Sequence, residues 1–192
     1  MSGPKKGDVH ACLSQALVIS RRFGETTWKQ ALEHHGSECR SIQTDRSKAE
    51  ELCRGADVPN DAKTAVERGK SLQTESETLR QEAEKVQKEA EAQLDNVAKR
   101  VKVIEDEIRT KTNHDYFYDE FQRAGVCKTD ATKAEQLYNK ARDILRQSAA
   151  KANEACTSYR QARVIVEQKQ VAPRSPLKGV KSCKVNMYNA FR

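Results

Sequence analysis

Aromatic side chains are scarce in this chain, at 5% of 192 residues, and hydrophobic residues of all kinds reach only 36%. So little apolar bulk cannot fill a thick globular core, so a single domain of this length is expected to be thin and elongated. No window approaches the ~18 consecutive apolar residues of a membrane span. The stretch Met1 to Asp8 is polar and lacks the apolar centre of a signal peptide. Taken literally, the polypeptide is expected to be soluble and without an export signal, unless it is a piece of a longer precursor.

The catalytic motifs are missing as well. The eight glycines are dispersed, with no glycine-rich phosphate loop, dinucleotide fingerprint, zinc-protease helix motif or serine-hydrolase elbow. Enzyme activity is therefore not expected, and neither catalytic residues nor a cofactor are assigned. No Cys-x-x-Cys pair exists, which argues against a zinc ribbon or a thioredoxin-like centre. His35 and Cys39 share a helix face with His34 beside them, but no further ligands lie nearby in sequence and no metal is expected. His10 and His114 read as surface residues. No Asn-x-Ser/Thr acceptor for N-linked sugar occurs.

Charge, by contrast, is abundant, at 33% of residues with a net +7. Its distribution matters more than its size. Lys169, Arg174, Lys178, Lys181, Lys184 and Arg192 stand in residues 169–192 without a single acid, so six of the seven net charges belong to that tail and one to the other 168 residues. The body of the chain is nearly neutral and mixes acids with bases at helical neighbour spacings, the pattern of a solvated face. No nucleic-acid partner is expected.

The dominant positive signal is periodicity. Ala62, Ala65, Gly69, Leu72, Ser76, Leu79, Ala83, Val86, Ala90, Leu94, Val97, Val101, Ile104 and Ile108 recur at alternating steps of three and four, with one stutter between Ala90 and Leu94. A second run covers Ala134, Tyr138, Ala141, Leu145, Ser148, Ala152, Ala155, Tyr159, Ala162 and Val166. A third, less regular, runs from Cys12 to Cys53, with Gly24 and Gly36 as weak points where a bend is expected. The spacing predicts an all-α fold, an elongated antiparallel three-helix bundle with coiled-coil-like packing.

Residues 1–8 form a disordered N-terminus in this reading, 9–168 the bundle and 169–192 a basic linker and tail containing Pro173 and Pro176. Helices are expected over about 9–54, 61–124 and 130–168, capped by Asp8, Asn60 or Asp61, and Thr129 or Asp130. Gly125 and Cys127 then fall in the second turn, at one end of the bundle. Tyr116, Phe117, Tyr118 and Phe121, the densest aromatic patch, gather at the same end and are the candidate partner-binding residues.

Six cysteines, Cys12, Cys39, Cys53, Cys127, Cys156 and Cys183, permit three disulfides that would staple a thin core. Matching helix levels through the expected turns brings Cys12 and Cys156 together as the first choice of pair, and leaves the rest open. Reduced thiols packed as small apolar side chains are the alternative.

The segment Val9-His10-Ala11-Cys12-Leu13, followed by Trp28, Leu32 and Cys39 and then by Lys48-Ala49-Glu50-Glu51-Leu52-Cys53, resembles the start of trypanosome invariant surface glycoprotein ectodomains. The Ala- and Lys-rich second helix with Cys127 and Cys156 extends the resemblance over residues 9–168. It implies a helical-bundle ectodomain displayed on the parasite surface, a receptor or decoy for host or other extracellular proteins, with disulfides formed during secretion. The membrane-distal end would be the contact region, which geometry maps onto Tyr116, Phe117, Tyr118 and Phe121. Members of that family carry a signal peptide and a C-terminal span. Neither is evident here, so a membrane tether is expected only if an anchor is missing from this sequence. An intracellular coiled-coil scaffold, monomeric or homodimeric, is the alternative.

Overall fold

A computed structural model describes residues 3–23, 25–112 and 116–171. Among these the regular structure is entirely helical: α1 (Lys6–Arg22), α2 (Glu25–Glu38), α3 (Ile42–Leu52), α4 (Asn60–Thr110) and α5 (Tyr118–Val171).

α4 and α5 form the frame. At 51 and 54 residues they are roughly 76 and 81 Å long at ~1.5 Å per residue. They pack antiparallel along their length, as the cross-helix bonds show: Glu107 with Arg123 near the connection, Arg100 with Asp130, Ser76 with Ser148, and Gln73 with Tyr159 toward the far end. Small residues dominate the seam, with Ala62, Ala83, Ala90, Ala134, Ala141, Ala155 and Ala162 all fully buried, and this lets the two backbones approach closely. The closest approach is at Gly69, where an added Cβ would sit 2.6 Å from the Tyr159 ring.

α1, α2 and α3 together make the third layer, running alongside α5 in the same direction. Val9, Leu13 and Ala16 pack with Val97–Ile108 and Phe117–Ala131. Phe23 and Trp28 meet Ala83–Leu94 and Tyr138 in the middle, with Phe23 and Trp28 both against the Tyr138 ring at 4.9 and 6.0 Å. Ile42 and Ala49 close on Ala65–Leu72 and Ala152–Ala162. α3 is also fastened to α5 by buried Asp45, which accepts a 2.9 Å bond from Arg160 Nε and lies 3.7 Å from Arg163.

Four expectations about helix boundaries are corrected. The first helix is three helices: α1 ends at Arg22 and α2 begins at Glu25, with Gly24, where a bend is expected, outside the described residues; Gly36 is carried inside α2, and a second break at Cys39–Ser41 is made by short turn bonds such as Ile42 N–H to Cys39 O at 3.1 Å. α4 ends at Thr110, not near 124. The expected turn at Gly125–Asp130 is the interior of α5, because Phe117, Glu120, Ala124, Cys127, Ala131 and Ala134 continue the buried stripe at steps of three and four.

The fourth correction is at the N-terminus, which is ordered from Gly3. Asp8 is not the cap residue but lies three positions inside α1 from Lys5, and its carboxylate accepts the Lys5 N–H at 2.8 Å. The Pro4 carbonyl accepts the Phe117 N–H at 3.3 Å.

The cysteines are redistributed by the longer α5. Cys12 and Cys127 belong to the core at the connection end, and Cys39, Cys53 and Cys156 to the core at the other. The expected pairing of Cys12 with Cys156 is overturned, because moving the turn back by some fifteen positions slides Cys156 toward the far end. No disulfide joins the five described cysteines, so no disulfide staple is present among the described residues. Cys183, His114 and the Pro173–Arg192 tail lie outside the described residues. Among the described residues no helix is long and apolar enough to cross a membrane.

Candidate functional site

The four aromatic candidates separate once α5 is placed. Phe117 is fully buried in the connection-end core, with Lys111 Nζ 5.7 Å from its ring centroid. It anchors the start of α5 and offers no contact surface. Tyr116 and Tyr118 flank it in sequence and point outward, 67% and 58% exposed, their rings 6.0 Å apart and tilted by 35°. Phe121, 38% exposed, stands one turn further along α5. Gly3 lies under the tyrosine pair so closely that a Cβ there would come within 2.6 Å of Tyr116 and 2.7 Å of the Tyr118 hydroxyl. The N-terminal strap therefore sets the position of both rings.

Beneath them the end of the bundle is held by charge. Buried Glu120 accepts a short bond from Lys111 Nζ, and this bond, more than any other influence, holds the Glu120 carboxyl below the ordinary carboxylate range against the opposing effect of burial. Arg123 bridges back to Glu107 on α4 at 2.6 and 3.1 Å and lowers the Glu107 carboxyl in the same way. Arg100 binds Asp130 at 2.6 Å, again lowering the acid. Beside these pairs a cleft of about 280 Å³ opens between α4 and α5, lined by Lys99, Val103, Ile104, Arg123, Val126 and Cys127. Val103 and Val126 are half exposed there. Exposed tyrosines at the same end of the bundle as an apolar, base-rimmed cleft make a surface suited to docking a protein, since aromatic and Arg side chains carry contact energy at modest entropic cost.

A second arrangement lies mid-bundle. The imidazole of His35 on α2 is buried, with Nε2 2.8 Å from Ser148 Oγ on α5. Ser148 in turn exchanges hydroxyl-to-carbonyl bonds with Ser76 on α4, at 2.7 and 2.8 Å. Cys39 Sγ lies 3.8 Å from the ring nitrogens of His35. The sequence placed His35 and Cys39 on one face, and the two do meet. Ser76 and Ser148 were legible only as small residues in the stripe, and their pairing across α4 and α5 required the register. Among the described residues no group of three or more His, Cys, Asp or Glu side chains is placed to hold a metal ion.

No family model, curated protein or solved structure matches this chain.

Proposed function

We propose that the chain is a non-enzymatic helical-bundle binding module, displayed at a cell surface, that engages a host or other extracellular protein through the end bearing Tyr116, Tyr118 and Phe121. The observation that carries this reading is the exposed tyrosine pair, at 67% and 58% exposure in a chain with few aromatic residues. Polarity along the axis supports it. Lys169, near the end of α5, bonds the Asp57 carbonyl in the turn before α4, so the C-terminal end lies about 75 Å from the tyrosines at ~1.5 Å per helical residue. A tether following residue 171 would present the aromatic end outward.

The resemblance to invariant surface glycoproteins supplies the surface location and the class of partner. An oxidised framework, if the mature protein has one, pairs cysteines within each end: Cys12 with Cys127, and two of Cys39, Cys53 and Cys156, since the bundle length separates the two groups. The second reading is an intracellular coiled-coil scaffold, monomeric or homodimeric. It is favoured by one observation, that no disulfide joins the five described cysteines.

The test is the double variant Tyr116→Ala with Tyr118→Ala, assayed for saturable capture of serum or cell-surface protein beside the parent chain. Loss of capture with an unchanged melting curve supports the assignment. Unchanged affinity overturns it.

A further inference from the structure

Arg142, Arg146, Ala149 and Asn153 follow one another at steps of four, three and four, so they share one face of α5. Gln30, Ala31 and His34 share the face of α2 turned toward it, and between the two faces runs a groove of about 530 Å³. That volume is within the range of small-molecule sites. The groove exists because the contact at its base is polar and the walls above it are small. His35 Nε2 and Ser148 Oγ meet at 2.8 Å and set the separation of the two helices, while Ala31, Ala149 and Ala150 leave the space between them unfilled.

The ionisable residues of this lining, His34, His35, Arg142 and Arg146, are all basic, and no Asp or Glu among the described residues lines the groove. Gln30 and Asn153 add side-chain amide donors. The two arginines differ in what they already bind. Arg146 is paired with Asp143 at 3.0 Å. Arg142, half-buried one turn earlier, makes no ion pair or hydrogen bond through its guanidinium with any described residue. The base-rimmed cleft at the connection end is different in this respect, because Arg100 and Arg123 there are bound to Asp130 and Glu107. A planar guanidinium with no acid of its own, facing an imidazole across the groove and flanked by two amides, presents donors to one anion from both helices. Leu145 and Ala149 give the same groove an apolar wall.

We propose that this groove binds a small phosphomonoester. Arg142 donates a pair of N–H bonds to the phosphate, His34 and Asn153 complete the set, and the organic group lies on Leu145 and Ala149. A phosphate has three acceptor oxygens for donors arriving from two helices, whereas a carboxylate has two. The site lies about 40 Å along α5 from Tyr118 at ~1.5 Å per residue, so it stands or falls separately from protein capture at the aromatic end.

The full chain is titrated with phenyl phosphate, followed by calorimetry and by NMR of its side-chain amides and imidazoles. Saturable binding of one phenyl phosphate is expected, with shifts concentrated at Gln30, His34 and Asn153. Benzoate, which carries the same ring on a carboxylate, should bind about tenfold more weakly, and benzyl alcohol not at all. Arg142→Gln should weaken phenyl phosphate binding by about tenfold or more, because charge-assisted bonds are lost, and should leave the melting curve unchanged. No saturable binding, or shifts that leave Gln30, His34 and Asn153 untouched, would overturn the proposal from the parent chain alone. Equal affinity for benzoate or benzyl alcohol would overturn the phosphate assignment, as would a folded Arg142→Gln chain with the parent affinity. Displacement of phenyl phosphate by vesicles of phosphatidic acid in phosphatidylcholine, but not by glycerol phosphate, would overturn the small-molecule assignment in favour of a lipid headgroup.

Discussion

Two glycines on the long helices should respond to alanine in opposite directions. Gly125 lies inside α5, and a Cβ there would meet nothing within 4 Å. Replacing a helix-interior glycine by alanine gains about 1 kcal/mol, chiefly from backbone entropy. Gly69 lies inside α4 and would gain the same amount, but its Cβ would meet three Tyr159 ring atoms at 2.6, 2.8 and 2.9 Å. Tyr159 is fully buried and its hydroxyl donates to Gln73 at 3.0 Å, so the ring has no room to swing aside. Forcing a methyl into such a site costs about 1–3 kcal/mol, which outweighs the propensity gain.

The expected result is Gly125→Ala more stable by about 1 kcal/mol and Gly69→Ala less stable by about 1 kcal/mol, a separation of about 4–8 °C in melting temperature for a chain of this size. Urea and thermal melts followed by far-UV circular dichroism measure both. If Gly125 were in a turn with left-handed backbone, Gly125→Ala would destabilise, and that outcome would refute a continuous α5. Gly69→Ala as stable as Gly125→Ala would refute the packing of Tyr159 against α4.

The Tyr138 hydroxyl is buried with no protein partner among the described residues, whereas Tyr159 bonds Gln73. In urea melts, Tyr138→Phe is expected to be neutral or up to about 1 kcal/mol stabilising, and Tyr159→Phe to lose about 1 kcal/mol. Glu120 has a carboxyl lowered by Lys111, so its contribution is fully present above the ordinary carboxylate range and is lost as pH falls through the lowered value. Lys111→Ala removes that contribution at neutral pH, costing about 1–3 kcal/mol, and flattens the acid limb of a stability-against-pH profile; an unchanged profile would show that the pair carries no stability. The Tyr116→Ala, Tyr118→Ala variant should stay within about 1.5 kcal/mol of the parent in the same melts, because only one exposed ring pair is lost.

The long stripes are readable because an α-helix repeats faithfully over many turns: the apolar and small residues that recur at steps of three and four from Ala62 to Ile108 share one face, and all but half-buried Leu79 are buried. The start of α5 is not legible in the sequence, because Gly125 followed by Thr129-Asp130 has the composition of a turn, while the continuing stripe from Phe117 through Ala131 depends on a buried glutamate that looks polar in sequence. Tertiary pairing with Lys111 makes that burial tolerable. The break at Cys39–Ser41 carries no proline and no glycine, so nothing local announced it. Of the candidate site, the aromatic cluster was legible as composition, but the separation into a buried Phe117 and outward Tyr116 and Tyr118 depends on where the helix begins. The role of Ser76 and Ser148 depends on the register between α4 and α5, which hydrophobic spacing alone does not set.

The binding role of the aromatic end is tested most directly by placing a photo-crosslinking residue at position 118 or, as the opposite-end control, at the half-exposed Val164, and irradiating each chain on intact cells. The account predicts a covalent protein adduct from position 118 and none from position 164. Adducts from 164 alone, or none from 118 while the parent chain binds, would contradict it.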